Sequence, residues 1–149
     1  MGLYDYSYQT KTEKIAKSQS FDLDASFKDL TQVCRNIRKK KVKQALKMLE
    51  DFSTGKMPVR FYTYNKRLGH RKELGGRKGR YPKKSAKFVL QALNNALANA
   101  KFKNLNEDKL VVHAAANKQT KFPRLASKGR RFRSDYTTTR IEIVLEEKG

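Results

Sequence analysis

Leu110-Val111-Val112-His113-Ala114-Ala115-Ala116 and Arg140-Ile141-Glu142-Ile143-Val144-Leu145 decide the fold. In the first, Leu110, Val112, Ala114 and Ala116 alternate with Val111, His113 and Ala115. In the second, Ile141, Ile143 and Leu145 alternate with Arg140, Glu142 and Val144. A repeat of two places one set on a buried face, so the stretch from Asp108 to Glu146 reads as one long antiparallel hairpin. Its middle is different. Lys118 to Arg133 holds seven Lys or Arg (Lys118, Lys121, Arg124, Lys128, Arg130, Arg131, Arg133) and no Asp or Glu, with Phe122, Pro123, Leu125, Gly129 and Phe132 among them. An arm of about fourteen strand residues reaches about 45 Å, whereas a chain of this length has an expected radius of gyration of about 15 Å. The arm is therefore expected to project into a partner, and that partner is anionic.

Charge is concentrated in two places. The 149 residues carry 35 Lys plus Arg, 14 Asp plus Glu and a net +21. Of that excess, 18 charges fall in Gly55–Lys87, with twelve basic residues against Glu73 alone, and in Lys118–Arg133. Neither segment has the wide apolar face of a membrane-surface helix, so a polyanion fits better than a bilayer. No apolar run approaches the ~20 residues of a membrane span, and the first five residues lack the basic and apolar regions of a signal peptide. A cytoplasmic protein is the expectation. The single Cys34 excludes an intrachain disulfide or a cysteine-based zinc cluster and is expected to be a small buried apolar residue.

Around the hairpin, an α+β domain is expected: three helices packed on a small antiparallel sheet, with the protruding hairpin and a basic loop extension, all as one domain over residues 1–149. Residues 1–11 read as an arm that orders on binding, and Thr12 to Phe21 as a weak strand. Ser26 with Asp29 resembles a capping box, and Phe27, Leu30, Cys34 and Ile37 share one face of the helix that follows. Arg38-Lys39-Lys40-Lys41 breaks that stripe, and Val42, Ala45, Leu46 and Leu49 resume it in a second short helix. Gly55 to Tyr81, with five glycines and four aromatics, shows no periodicity and reads as a long loop with no face to bury. Pro82, with φ pre-set for a first turn, opens the best-defined helix, whose apolar face is Ala86, Val89, Leu90, Leu93, Ala96, Leu97 and Ala100.

An enzyme needs a constellation, and the chain offers poor material. His70 lies in the basic loop and His113 in mid-strand; catalysis would require one of them beside a carboxylate in a closed pocket. Gly75-Gly76-Arg77-Lys78-Gly79-Arg80 lacks the spacing and terminal Lys-Ser/Thr of a P-loop. No catalytic residue, metal ligand or cofactor is assigned. Nucleic-acid binding is better supported, because Arg grips phosphate bidentately while Tyr and Phe stack on unpaired bases. The candidates are Arg60, Tyr64, Lys66, Arg67, His70, Arg71, Arg77, Lys78, Arg80, Lys83 and Lys84, then Lys118, Lys121, Arg130, Arg131 and Arg133 along the hairpin. Two irregular extensions favour RNA over a regular DNA duplex, whose readers carry a compact helix for the major groove.

Gly69-His70-Arg71, Gly79-Arg80-Tyr81-Pro82-Lys83-Lys84-Ser85-Ala86 and Ala98-Asn99-Ala100 resemble universal large-subunit ribosomal protein twenty-two in its archaeal and eukaryotic form. Val33-Cys34-Arg35-Asn36-Ile37-Arg38 and Val42, Ala45, Leu46 and Leu49 are similar to its first two helices, and the likeness runs in order from about Lys14 to Glu147. The family commonly has Gly where this chain has Lys39, and its hairpin commonly reads Pro-Arg-Ala-Arg-Gly-Arg where this chain has Pro123-Arg124-Leu125-Ala126-Ser127-Lys128-Gly129-Arg130. The resemblance implies a non-enzymatic constituent of the large subunit that binds ribosomal RNA, contacts neighbouring ribosomal proteins and supports assembly and translation. It also implies that Phe122, Pro123, Arg124, Leu125, Ala126, Ser127, Lys128 and Gly129 line the exit tunnel, beside the nascent polypeptide. The reading from another class is a free-standing nucleic-acid chaperone or regulator using the same basic segments.

Overall fold

A computed structural model describes residues 5–10, 12–129 and 132–148. The long hairpin is present. Strand β5 (Leu110–Arg124) and the last strand, β6 (Ser134–Glu147), pair antiparallel from Leu110↔Glu147 to Arg124↔Ser134, with one irregularity between Lys118 and Lys121. The first strand, β1 (Ile15–Leu23), is the weak candidate, shifted later by two or three residues; it pairs with β6, giving the order β1-β6-β5. One face of this sheet carries Ala16, Leu110, Val112, Ala114, Ala116, Ile141, Ile143 and Leu145, all buried. Helices α1 (Phe27–Ile37), α2 (Val42–Thr54) and α3 (Lys83–Phe102) cover that face, with α3 lying on β1 and β6 and α1 beside β5.

The alternation fails on β6, where every residue from Thr138 to Glu146 is buried. The cause is the N-terminal segment, which packs across the strand. Ser7 donates from its backbone N–H and its hydroxyl to Glu142, and Tyr8 and Thr10 donate to Glu146. Residues 5–10 thus lie on the outer face of the sheet; the rest of the expected arm, residues 1–4 and Lys11, falls outside the described residues. Buried charge requires full hydrogen bonding, and Glu142 has it, accepting also from Arg140 Nη2 at 2.8 Å and Asn117 Nδ2 at 2.6 Å.

Local chemistry sets the helix ends. Ser26 Oγ accepts from the Asp29 N–H at 3.4 Å, closing the cap of α1. Between α1 and α2 the chain turns at Lys39, whose φ is +64°. The turn is fixed by the β5 edge, since Lys39 N–H donates to Val112 O and Val112 N–H donates to Lys40 O, at 2.8 and 2.9 Å. A left-handed conformation costs a residue with a Cβ about 1–2 kcal/mol, which accounts for the glycine common here in the family that the sequence resembles. Lys39→Gly is expected to raise stability by about 0.5–1 kcal/mol, the gain being cut by glycine's greater freedom when unfolded. Thermal unfolding of the free protein should show Tm rising by about 2–4 °C.

Residues 55–81 require a correction. They are not a loop without a buried face: β2 (Val59–Arg60), β3 (His70–Arg71) and β4 (Arg77–Arg80) form a second sheet in the order β2-β4-β3. Pro58, Val59, Phe61 and Leu68 are buried beneath it. Gly79 sits where no side chain fits, because a Cβ there would lie 2.7 Å from both Val59 O and the Leu74 side chain.

Candidate nucleic-acid interface

The second sheet is held to the domain by two polar residues of α1. Gln32, fully buried, accepts the Tyr62 N–H at 2.9 Å and donates to Thr63 Oγ1 at 2.6 Å, while Asn36 donates to Arg60 O at 2.9 Å. These are positioning residues with no periodic signal, and the sequence reading missed them. Both lie on the polar side of α1, away from Leu30, Cys34 and Ile37, so nothing in the pattern of residues marks them for burial.

This anchoring fixes the basic side chains. Arg71 donates from Nε to Gly79 O at 3.0 Å and lies over the Tyr81 ring, and Arg60 lies over Tyr62, 4.3 Å from the ring centroid. The Nδ1–H of His70 donates to Gly76 O, leaving Nε2 as the ring nitrogen for an outside partner. Tyr64, Lys66, Arg67, Arg77 and Arg80 are exposed, and Lys78 is half-buried. Lys84 is ion-paired with Asp24 at 2.8 Å, and Asp24 also accepts from Tyr136, so this pair ties the start of α3 to the hairpin shaft. Lys83 is exposed beside it, its side chain crossing Gly55 at the end of α2.

Beyond Thr139, among the described residues, β6 has no third strand paired to it, so the hairpin continues as a two-stranded ribbon. Its basic shaft is partly balanced. Asp135 meets Lys121 Nζ at 2.8 Å and Arg133 Nε at 3.2 Å, and the Lys121 ammonium, then Arg133, hold its carboxyl below the ordinary range. Lys118 is exposed; Arg130 and Arg131 lie outside the described residues. Toward the end, Phe122 stacks on Tyr136 with Arg124 over the same ring. Leu125 is fully exposed and Phe122 is 48% exposed, while Pro123, Lys128 and Gly129 are also exposed and Ala126 is half-buried. Lys128 and Gly129 take φ of +58° and +64° to turn the chain. Leu125 and Phe122 thus stand in solvent among the exposed Arg124 and Lys128 side chains.

The geometry also tests the catalytic reading. His113 does stand beside a carboxylate, with Nε2 3.2 Å from Glu146 Oε2. The Tyr8 ring, however, stacks on the imidazole at 3.8 Å, and the hydroxyls of Tyr8, Thr10 and Thr12 donate to the same carboxylate. Burial lowers the His113 pKa, against the pull of Glu146, so the ring is neutral at pH 7 and the contact is a hydrogen bond. For Glu146 burial acts upward, but the three hydroxyls outweigh it and hold the carboxyl below its usual range. The cluster fastens the N-terminal segment and engages both oxygens of Glu146, while Tyr8, His113 and Glu142 line a cavity of about 600 Å³ beside it. Cys34, buried in α1, has its thiol pushed up to about 12 by desolvation, which removes the thiolate. Among the described residues no group of His, Cys, Asp or Glu could hold a metal ion, and no helix is long and apolar enough to cross a membrane.

Comparison with known proteins agrees with this arrangement. The family model described as ribosomal protein L22p/L17e matches residues 18–146. The Methanocaldococcus jannaschii protein named large ribosomal subunit protein uL22 is 37% identical over 99% of this chain and 97% of its own length. Proteins of the same name from Archaeoglobus fulgidus and Methanosphaera stadtmanae are 38% and 42% identical, covering 98% and 95% of this chain and 97% and 96% of theirs. From the matched hairpin, helices and second sheet together, the chain belongs to the ribosomal protein L22p/L17e family.

Proposed function

We propose that the protein is a structural, non-enzymatic constituent of the large ribosomal subunit in the cytoplasm, bound to ribosomal RNA and to neighbouring ribosomal proteins. The second sheet and the hairpin shaft grip RNA phosphates, and Phe122–Gly129 borders the exit tunnel beside the nascent polypeptide. The observation that supports this most is the ribbon beyond Thr139, which among the described residues has no third strand paired to it and carries Asp135 as its single carboxylate from Lys118 to Thr138. Such a ribbon is stabilised by a surrounding polyanion, since each neutralised phosphate releases counterions. The relatives' shared name, large ribosomal subunit protein, supports ribosomal RNA as that polyanion.

A salt wash of ribosomal particles separates this reading from an exchangeable chaperone or regulator. A protein threaded into the particle sediments with the large subunit through moderate salt, because release requires many contacts to break together. Recovery of most of the protein in the soluble fraction after the wash would favour the regulator.

A further inference from the structure

Three elements bring two aromatic rings and two ammonium groups together on one side of the domain. Phe27, first residue of α1, and Tyr64, in the segment between β2 and β3, meet edge-to-face with centroids 6.5 Å apart and planes at 70°. Lys28 Nζ lies 5.6 Å from the Tyr64 centroid, and Lys118 Nζ, from the hairpin root, lies 5.5 Å from that of Phe27. Among the described residues neither ammonium meets a carboxylate within 4.0 Å. Tyr64 is 49% exposed, and its backbone is held at φ +54°, unusual for an aromatic residue. Tyr62, two residues earlier, differs, for the guanidinium groups of Arg35 and Arg60 already lie 4.6 and 4.3 Å from its centroid.

We propose that the Phe27–Tyr64 notch is a binding site for one unpaired RNA base, stacked on Tyr64 with Phe27 against its edge, while Lys28 and Lys118 take the flanking phosphates. Perpendicular rings form a corner that fits a flat aromatic guest, offering a face on one side and an edge on the other. The two ammonium groups select an anionic backbone over an apolar peptide side chain. The site rests on the ribosomal RNA reading above and adds to it a particular nucleotide geometry: a base splayed out of its helix at the point where the hairpin leaves the domain.

Ultraviolet cross-linking of the full-length protein bound to large-subunit RNA, read by mass spectrometry, tests this directly. A nucleotide adduct is expected on Tyr64 or Phe27. Tyr64→Asn removes the ring while keeping a residue that tolerates positive φ, and it should weaken binding to that RNA by about 5- to 100-fold without changing the salt slope. Tyr64→Phe should bind as the parent does. Lys28→Ala with Lys118→Ala should instead flatten the slope by about one to two units. Adducts confined to other residues, or a Tyr64→Asn protein that binds at full affinity, would overturn the site while leaving salt-dependent binding of the parent chain intact. Equal loss in Tyr64→Phe would also overturn it, since the hydroxyl rather than the ring would then be responsible. If Tyr64→Asn fails to fold, the adduct map of the parent chain decides alone. Absence of salt-dependent binding by the parent chain would remove the RNA reading and the site together.

Discussion

Replacing Arg77, Lys78 and Arg80 together by alanine should flatten the salt dependence of binding to large-subunit RNA by about two to three units on a log–log scale. All three lie on β4, the central strand of the second sheet, with Arg77 and Arg80 exposed and Lys78 half-buried. None of the three has a carboxylate within ion-pair distance among the described residues, unlike Lys84 and Lys121. Each phosphate contact contributes about 0.7 to 0.9 to the slope, so three lost contacts are separable from measurement scatter. The substitution leaves Gly79, Val59 and the Gln32 and Asn36 anchors in place, and thermal stability should change little. Titration of the RNA at several salt concentrations is the check. A slope equal to that of the parent protein would mean that this strand faces solvent in the complex.

The hairpin gives the second large effect, because its shaft and its turn should fail differently. Lys118, Lys121, Arg130, Arg131 and Arg133 flank the turn, and phosphate contacts supply most of the affinity in such complexes. Changing all five to alanine should reduce incorporation into large subunits by about tenfold or more, in keeping with the loss of several contacts. Lys121 and Arg133 share Asp135 in the free protein, so their grip on phosphate competes with that carboxylate. The variant should therefore lose less than five independent cations would. Deleting Leu125–Lys128 shortens the turn and leaves the ladder up to Arg124↔Ser134 intact. That protein should assemble and should alter the passage or stalling of particular nascent chains. Quantifying each variant in purified subunits, followed by a stalling assay on those that assemble, separates the two roles; a deletion that blocks assembly as severely as loss of the charges would make the turn an RNA anchor.

What could be read from the residues follows from how local each signal is. The β5 and β6 faces were legible because Val112, Ala114, Ile141 and Ile143 bury one side of a pleated sheet at a spacing of two. Burial of Arg140 and Glu142 was not, since the groups that cover and pair them come from residues 5–8 and from Asn117 on the neighbouring strand. The second sheet was hidden for another reason. Strands of two residues have no period, and Val59, Phe61 and Leu68 are buried by a fold-back that depends on Gln32, Asn36 and the Cβ-free surface of Gly79. Most basic candidates are exposed as expected, but the partners of Arg60, Arg71, Lys84 and Lys121 within the domain depend on tertiary contacts that charge counting does not register.

Locating the hairpin in a density map of the assembled large subunit tests the central claim most directly. The account predicts that the second sheet and the shaft residues Lys118, Lys121 and Arg133 lie within reach of RNA phosphates, with Phe122–Gly129 bordering the exit tunnel. A hairpin lying on the outer surface of the particle, its turn in open solvent, would contradict it.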